Sequence, residues 1–145
     1  MGHIFFITLD SSCNLDEVAQ WTLFWLLDHD MVANTTLYTC SGLEQAYRAL
    51  EKPLKNGNSP ALIVIDYPMQ PNAEMTQFVH RLRECIPETW IVEFIPRSMP
   101  MPSNKEEHLF WIPKPVCEED WTDVLKHVCF QAASPQWSEA ENSSL

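Results

Sequence analysis

The chain has 145 residues, enough for one domain with one core, and 46% of them are hydrophobic, which excludes a globally disordered chain. A formal net charge of −11 excludes a nucleic-acid surface or an anionic membrane as the natural partner, since both would repel it. A protein partner with basic groups stays open.

Five cysteines, Cys13, Cys40, Cys85, Cys117 and Cys129, form no C-x-x-C pair. An odd count at these spacings fits neither a disulfide framework nor a zinc site, so they are expected to be reduced and mostly packed. His3, His29, His80, His108 and His127 show no metal spacing, and no G-x-S-x-G, P-loop or H-E-x-x-H motif occurs. No apolar run reaches the ~20 residues that span a bilayer. The start, Met-Gly-His-Ile-Phe-Phe, has no basic n-region. The expectation is a cytoplasmic protein without a membrane or nucleic-acid partner, and not an enzyme.

Taken in chain order, His3 to Leu9 reads as a short buried strand. A helix is expected from Leu15 to Asp28, capped by Asn14, with Asp16 and Glu17 at the positive end of its dipole. Leu15, Val18, Trp25 and Leu26 form its core stripe. Trp21, Phe24 and Leu27 form a second stripe, beside Glu17 and Asp28. A helix apolar on two sides is either deeply buried or an interface. The interface reading is preferred, with lateral packing under neighbouring helices as the alternative.

Thr36 to Cys40 is a second strand, and Ser41-Gly42-Leu43-Glu44 has the form of a capping box. The helix behind it puts Leu43, Ala46, Tyr47 and Leu50 on one face and is expected to end at Pro53. Leu62 to Ile65 is a third strand, apolar throughout, ending on Asp66. Met75, Phe78, Val79 and Leu82 stripe the next helix. Trp90 to Ile95 and Leu109 to Ile112 are the fourth and fifth strands. Trp121, Val124, Leu125 and Val128 stripe a last helix. Between the fourth and fifth strands three prolines and no apolar stripe predict a short or missing helix. Residues 1–130 form one expected domain, and residues 131–145 a flexible polar tail.

Strands alternating with helices imply right-handed crossovers and a parallel sheet covered on both faces. In such folds the working site lies at the carboxyl ends of the strands, where Asp66 and Lys114 are both expected.

With Asp66 ending an apolar strand, Ser41 to Ala46 opening the second helix, and Trp111-Ile112-Pro113-Lys114-Pro115 closing the fifth strand, the chain resembles the receiver domain of bacterial response regulators, the chemotaxis-receiver-like family. The resemblance covers residues 3–130. It implies a flavodoxin-like, three-layer α/β sandwich with a five-stranded parallel sheet in the order 2-1-3-4-5. It implies that Asp66 is the position phosphorylated by a histidine kinase in a two-component or phosphorelay system. It also implies that Lys114 contacts the phosphoryl group, and that Trp111 is the aromatic switch position.

The chain departs from that pattern. The acidic pair that binds Mg²⁺ in the family falls on Thr8 and Leu9, with Asp10 one residue later. Mg²⁺ wants octahedral oxygen ligands including one or two carboxylates, and Leu9 supplies none. The hydroxyl expected on the fourth strand falls at Glu93 or at Ile95, and neither has one. At Glu93 the side chain is either an acid facing Asp66, which would repel a phosphoryl group, or one that pairs with Lys114 or reaches solvent.

Asp66 itself is a live phosphoacceptor, a structural partner of Lys114, or a loop-holding acid, and the departures favour the structural pair. The expected function is thus that of a divergent pseudo-receiver, needing no cofactor, that binds a protein partner, a histidine kinase or a second copy. Its surfaces would be the first helix and the face near residues 96–102 and Trp111. The alternative is a working receiver phosphorylated on Asp66, with Asp10 completing a Mg²⁺ site.

Overall fold

The computed structural model describes residues 2–9, 15–57, 59–68, 72–97, 108–114 and 116–130. Five strands, β1 (Gly2–Thr8), β2 (Thr35–Ser41), β3 (Leu62–Asp66), β4 (Trp90–Ile95) and β5 (Leu109–Pro113), form one sheet in the order β2-β1-β3-β4-β5. All four pairings are parallel. Four helices cross between or follow them: α1 (Leu15–Asp28), α2 (Gly42–Lys55), α3 (Ala73–Cys85) and α4 (Glu118–Phe130). The crossover at 98–107, where a short or missing helix is expected, lies outside the described residues, as do Asn14 and the tail at 131–145.

Both sheet faces are covered, so the central strands are apolar throughout rather than alternating. Side chains still alternate between faces. Phe5, Ile7, Ile63, Ile65, Ile91 and Ile95 pack with Ala46 and Leu50 of α2 and Phe78 and Leu82 of α3. Ile4, Phe6, Leu62, Val64, Val92, Phe94 and Ile112 pack with Val18 and Leu26 of α1 and Trp121 and Leu125 of α4. Thr22, fully buried in α1, satisfies its hydroxyl twice. It donates to the Val18 carbonyl at 2.8 Å and accepts from the Trp121 indole at 2.8 Å, tying α1 to α4.

Two local expectations change around α2. Ser41 is its N-cap, but the Ser41 side chain makes no capping bond. The Gln45 side chain instead accepts from the Ser41 N–H at 2.9 Å, one residue beyond the expected partner, while Glu44 engages Arg48. The strand passes directly into the helix, and Gly42 turns the corner at φ 86°, a left-handed conformation open to glycine. Pro53 does not end the helix, which continues to Lys55. It removes only the bond its own N–H would make, and the helical pattern resumes with Asn56 N–H donating to Lys52 carbonyl at 3.0 Å.

Candidate functional site

The carboxyl edge of the sheet brings Thr8, Asp66, Glu93, Trp111 and Lys114 into one neighbourhood. Asp66 is the last residue of β3, in register with Thr8 of β1 and Phe94 of β4. Backbone bonds hold this edge: Leu9 N–H donates to the Asp66 carbonyl at 3.0 Å, Tyr67 N–H to the Phe94 carbonyl at 3.1 Å, and Lys114 N–H to the Ile95 carbonyl at 2.9 Å.

Asp66 follows Leu62 and Val64 on the α1/α4 face of the sheet. Its residue is 0% exposed. The Lys114 ammonium lies 3.2 Å from Asp66 Oδ1 and donates to the Tyr67 carbonyl at 2.6 Å. Only 18% of the Lys114 side chain is exposed, so the pair is shielded from water. A buried carboxylate needs such a counter-charge, because desolvation alone would neutralise it.

Glu93 does not face Asp66, and it neither pairs with Lys114 nor reaches solvent. It lies between Ile91 and Ile95, on the α2/α3 face, opposite in direction to Asp66. Only 7% of it is exposed. Tyr67, which shares that face, donates its hydroxyl to Glu93 Oε1 at 2.7 Å. The Trp111 side chain, paired in register with Glu93 on β5, donates a second bond. Burial pushes the Glu93 carboxyl above its ordinary range, against the opposing pull of those two bonds and of the Arg83 charge. Burial, then the Glu93 charge, pushes the Tyr67 phenol up.

Ile95 shares the face of Glu93, so it does not sit beside Asp66 either. The β4 position that shares both the register and the face of Asp66 is Phe94, which is fully buried and meets Trp121 edge-on at 5.8 Å. That position carries an aromatic ring and no hydroxyl. Neither strand of residues alone reveals this. Alternation gives the face, but the β3–β4 register is needed to pick Phe94.

On α1 the second stripe is partly as expected. Phe24 is 60% and Leu27 53% exposed. Trp21 instead packs against the α1/α4 core, and Leu23 joins the exposed set. Phe130 of α4 is also exposed, with its ring 5.6 Å from Trp25 and 5.7 Å from His29. Asp10 and most of the 96–102 segment lie outside the described residues.

No protein-family model and no curated protein matches the sequence. Solved structures do. The crystal structure of a response regulator receiver protein from Sinorhizobium medicae WSM419 aligns over 90% of this chain and 93% of that chain, with a TM-score of 0.50 at 18% identity. The fold is receiver-like. A fragment of a candidate lipoprotein from Peptoclostridium difficile 630 aligns over 90% of this chain and 97% of that chain, at 13% identity and a TM-score of 0.48. Among the described residues no helix is long and apolar enough to cross a membrane.

A receiver-like fold raises the question of Mg²⁺ beside Asp66. The described residues do not fit it. No group of three or more His, Cys, Asp or Glu side chains among them is placed to hold an ion. Beside Asp66, where a hard cation needs several oxygens, they supply a neutral hydroxyl at Thr8 and an ammonium 3.2 Å away, while Leu9 packs against the α2/α3 face.

Proposed function

We propose that this chain is a pseudo-receiver of a cytoplasmic two-component or phosphorelay system, acting by contact with a protein partner rather than by Mg²⁺-dependent phosphorylation. The observation that carries this reading is the state of Asp66: fully buried, 3.2 Å from Lys114, and held between Thr8 and Phe94. Phosphoryl transfer to a carboxylate is mostly positioning and charge neutralisation. Here an ammonium already lies beside the carboxylate, the β4 neighbour in register with it is the ring of Phe94 and no hydroxyl, and the described donors suit no divalent cation.

Contact surfaces support the same reading. Leu23, Phe24 and Leu27 expose apolar area on α1, bordered by Asp16, Glu17 and Asp28. Exposed aromatic and aliphatic clusters of this kind are the usual anchors of protein interfaces. A net charge of −11 favours a protein over a nucleic acid as what they meet.

Amide NMR with Mg²⁺ and then beryllofluoride, a phosphoryl mimic, tests the reading. The expected spectra show no saturable change near Thr8, Asp66 and Lys114. Large saturable shifts there would sink it in favour of a working receiver phosphorylated on Asp66.

A further inference from the structure

The side of the molecule away from α1 carries a second surface of different chemistry. Between α2 and α3 runs an open groove of about 440 Å³. Its floor is apolar, made by Tyr47, Leu50 and Leu54 of α2 and by Phe78 and Leu82 of α3. At one end Tyr47 meets Phe78 edge-on at 5.0 Å, and at the other Lys55 and Cys85 bound it. From Tyr47 to Lys55 the helix advances about 12 Å, a little over two turns.

The rims are cationic on both sides. Arg48 and Lys55 stand on the α2 rim and Arg81 on the α3 rim, with Glu51 as the acid among the lining residues. Five of the chain's nine Lys and Arg residues, Arg48, Lys52, Lys55, Arg81 and Arg83, ride on these two helices, against four acids, Glu44, Glu51, Glu74 and Glu84. In a chain of net charge −11 this is a local reversal of sign. Arg48 is bonded to Glu44 and Lys55 to Glu51, each at 2.9 Å, but all four side chains are more than half exposed. Such pairs are weak and exchange partners at little cost. Arg81 forms no ion pair among the described residues.

We propose that this groove docks an acidic amphipathic helix of a partner protein, its apolar stripe on Leu50, Leu54, Phe78 and Leu82 and its acids flanking toward Arg48, Lys55 and Arg81. The spread of the cations selects this occupant. A small amphiphile with one anionic head would need the cations gathered at one end. A helix with acids on both flanks of an apolar i, i+4, i+7 row meets cations on both rims along its length. This rests on the reading that the chain works by protein contact, and names a second surface for it.

The probe is a stapled helical peptide of about four turns, with leucines along one row and glutamates on both flanks. Its control carries lysine for each glutamate. Titration into the full chain, followed by amide NMR, is expected to give saturable shifts at Tyr47, Leu54 and Leu82, weakening with added salt. Arg48→Glu with Arg81→Glu, both surface changes that leave the core intact, is expected to weaken binding at least about tenfold. Equal binding of the lysine control, shifts confined to α1, or an unchanged affinity in the double variant would each overturn the proposal. So would decanoate filling the groove while the peptide does not bind. Beryllofluoride shifts at Asp66 in a chain that still binds the peptide would remove the pseudo-receiver reading and leave the groove. Failure of the peptide with a silent Asp66 would do the reverse.

Discussion

Two acids at the same edge of the sheet are buried in opposite ways. Asp66, on the α1/α4 face, has an ammonium 3.2 Å away and lies in register with Thr8 and Phe94. Glu93, on the α2/α3 face, has hydrogen-bond donors, the Tyr67 hydroxyl and the Trp111 side chain, and burial drives its carboxyl toward the protonated form. The contrast comes from strand alternation. Tyr67 contributes its carbonyl to Lys114 and its side chain to Glu93, so one residue joins the two arrangements across the sheet. Asp66 is buried beside a cation, whereas at Glu93 burial raises the carboxyl against the opposing pull of its donors.

Removing the cation is expected to have the largest effect. Lys114→Met leaves the Asp66 carboxylate buried without its counter-charge, at a cost of about 3 kcal/mol in urea unfolding. Adding Asp66→Asn is expected to recover most of that loss. A single-variant cost under about 1 kcal/mol would show that the pair behaves as a surface ion pair and that the burial of Asp66 is not what holds Lys114. Next comes Glu93→Ala, which strands the Tyr67 hydroxyl and the Trp111 donor without their acceptor, for about 2 kcal/mol. An unchanged stability would mean that water reaches both donors.

The pH dependence of Glu93 sharpens the contrast further. Its folded-state pKa is raised above the ordinary 4.5, chiefly by burial. The folded state therefore binds the proton more tightly than the unfolded state. That contribution to stability is fully present below the unfolded pKa and is lost as pH rises through the folded one. Glu93→Gln has no such loss, so its stability relative to the parent chain is expected to climb as pH rises from below 4.5, as read by urea midpoints across a pH series. A difference that stays flat, or falls with pH, would show that the carboxyl is ionised in the fold.

Much of the fold was legible because apolar periodicity changes cleanly between strand and helix along the chain. The strand Trp90–Ile95 and the helix Leu15–Asp28 stand where the pattern puts them. Asp66 and Lys114 were legible as neighbours because both follow strands of one parallel sheet. Glu93 was not. A glutamate in Trp-Ile-Val-Glu-Phe-Ile signals a buried acid, but whether it turns toward Asp66 depends on the β3–β4 register, which is a tertiary fact. The partnership with Tyr67 needs the same register. Trp21 looked equivalent to Phe24 on α1, yet the shape of the α1/α4 core takes one ring in and leaves the other out. The groove between α2 and α3 was invisible for a similar reason. Its residues read as ordinary helix faces until the separation of the two helices is known.

The smallest expected effect on stability tests the two outer surfaces against each other. The α1 side is apolar and acidic, with Leu23, Phe24 and Leu27 beside Asp16, Glu17 and Asp28 and no basic residue in its last turn. The α2/α3 side is apolar and cationic. Phe24→Asp adds charge at a position 60% exposed, so unfolding stability is expected to stay within about 0.5 kcal/mol of the parent. If α1 is an interface, the variant loses self-association in sedimentation or capture of its partner, while binding of the acidic helical peptide between α2 and α3 is unchanged. A collapse of the fold would show that Phe24 packs where it looks exposed. Unchanged association would remove α1 as the contact surface and leave the cationic groove as the face through which the domain meets its partner.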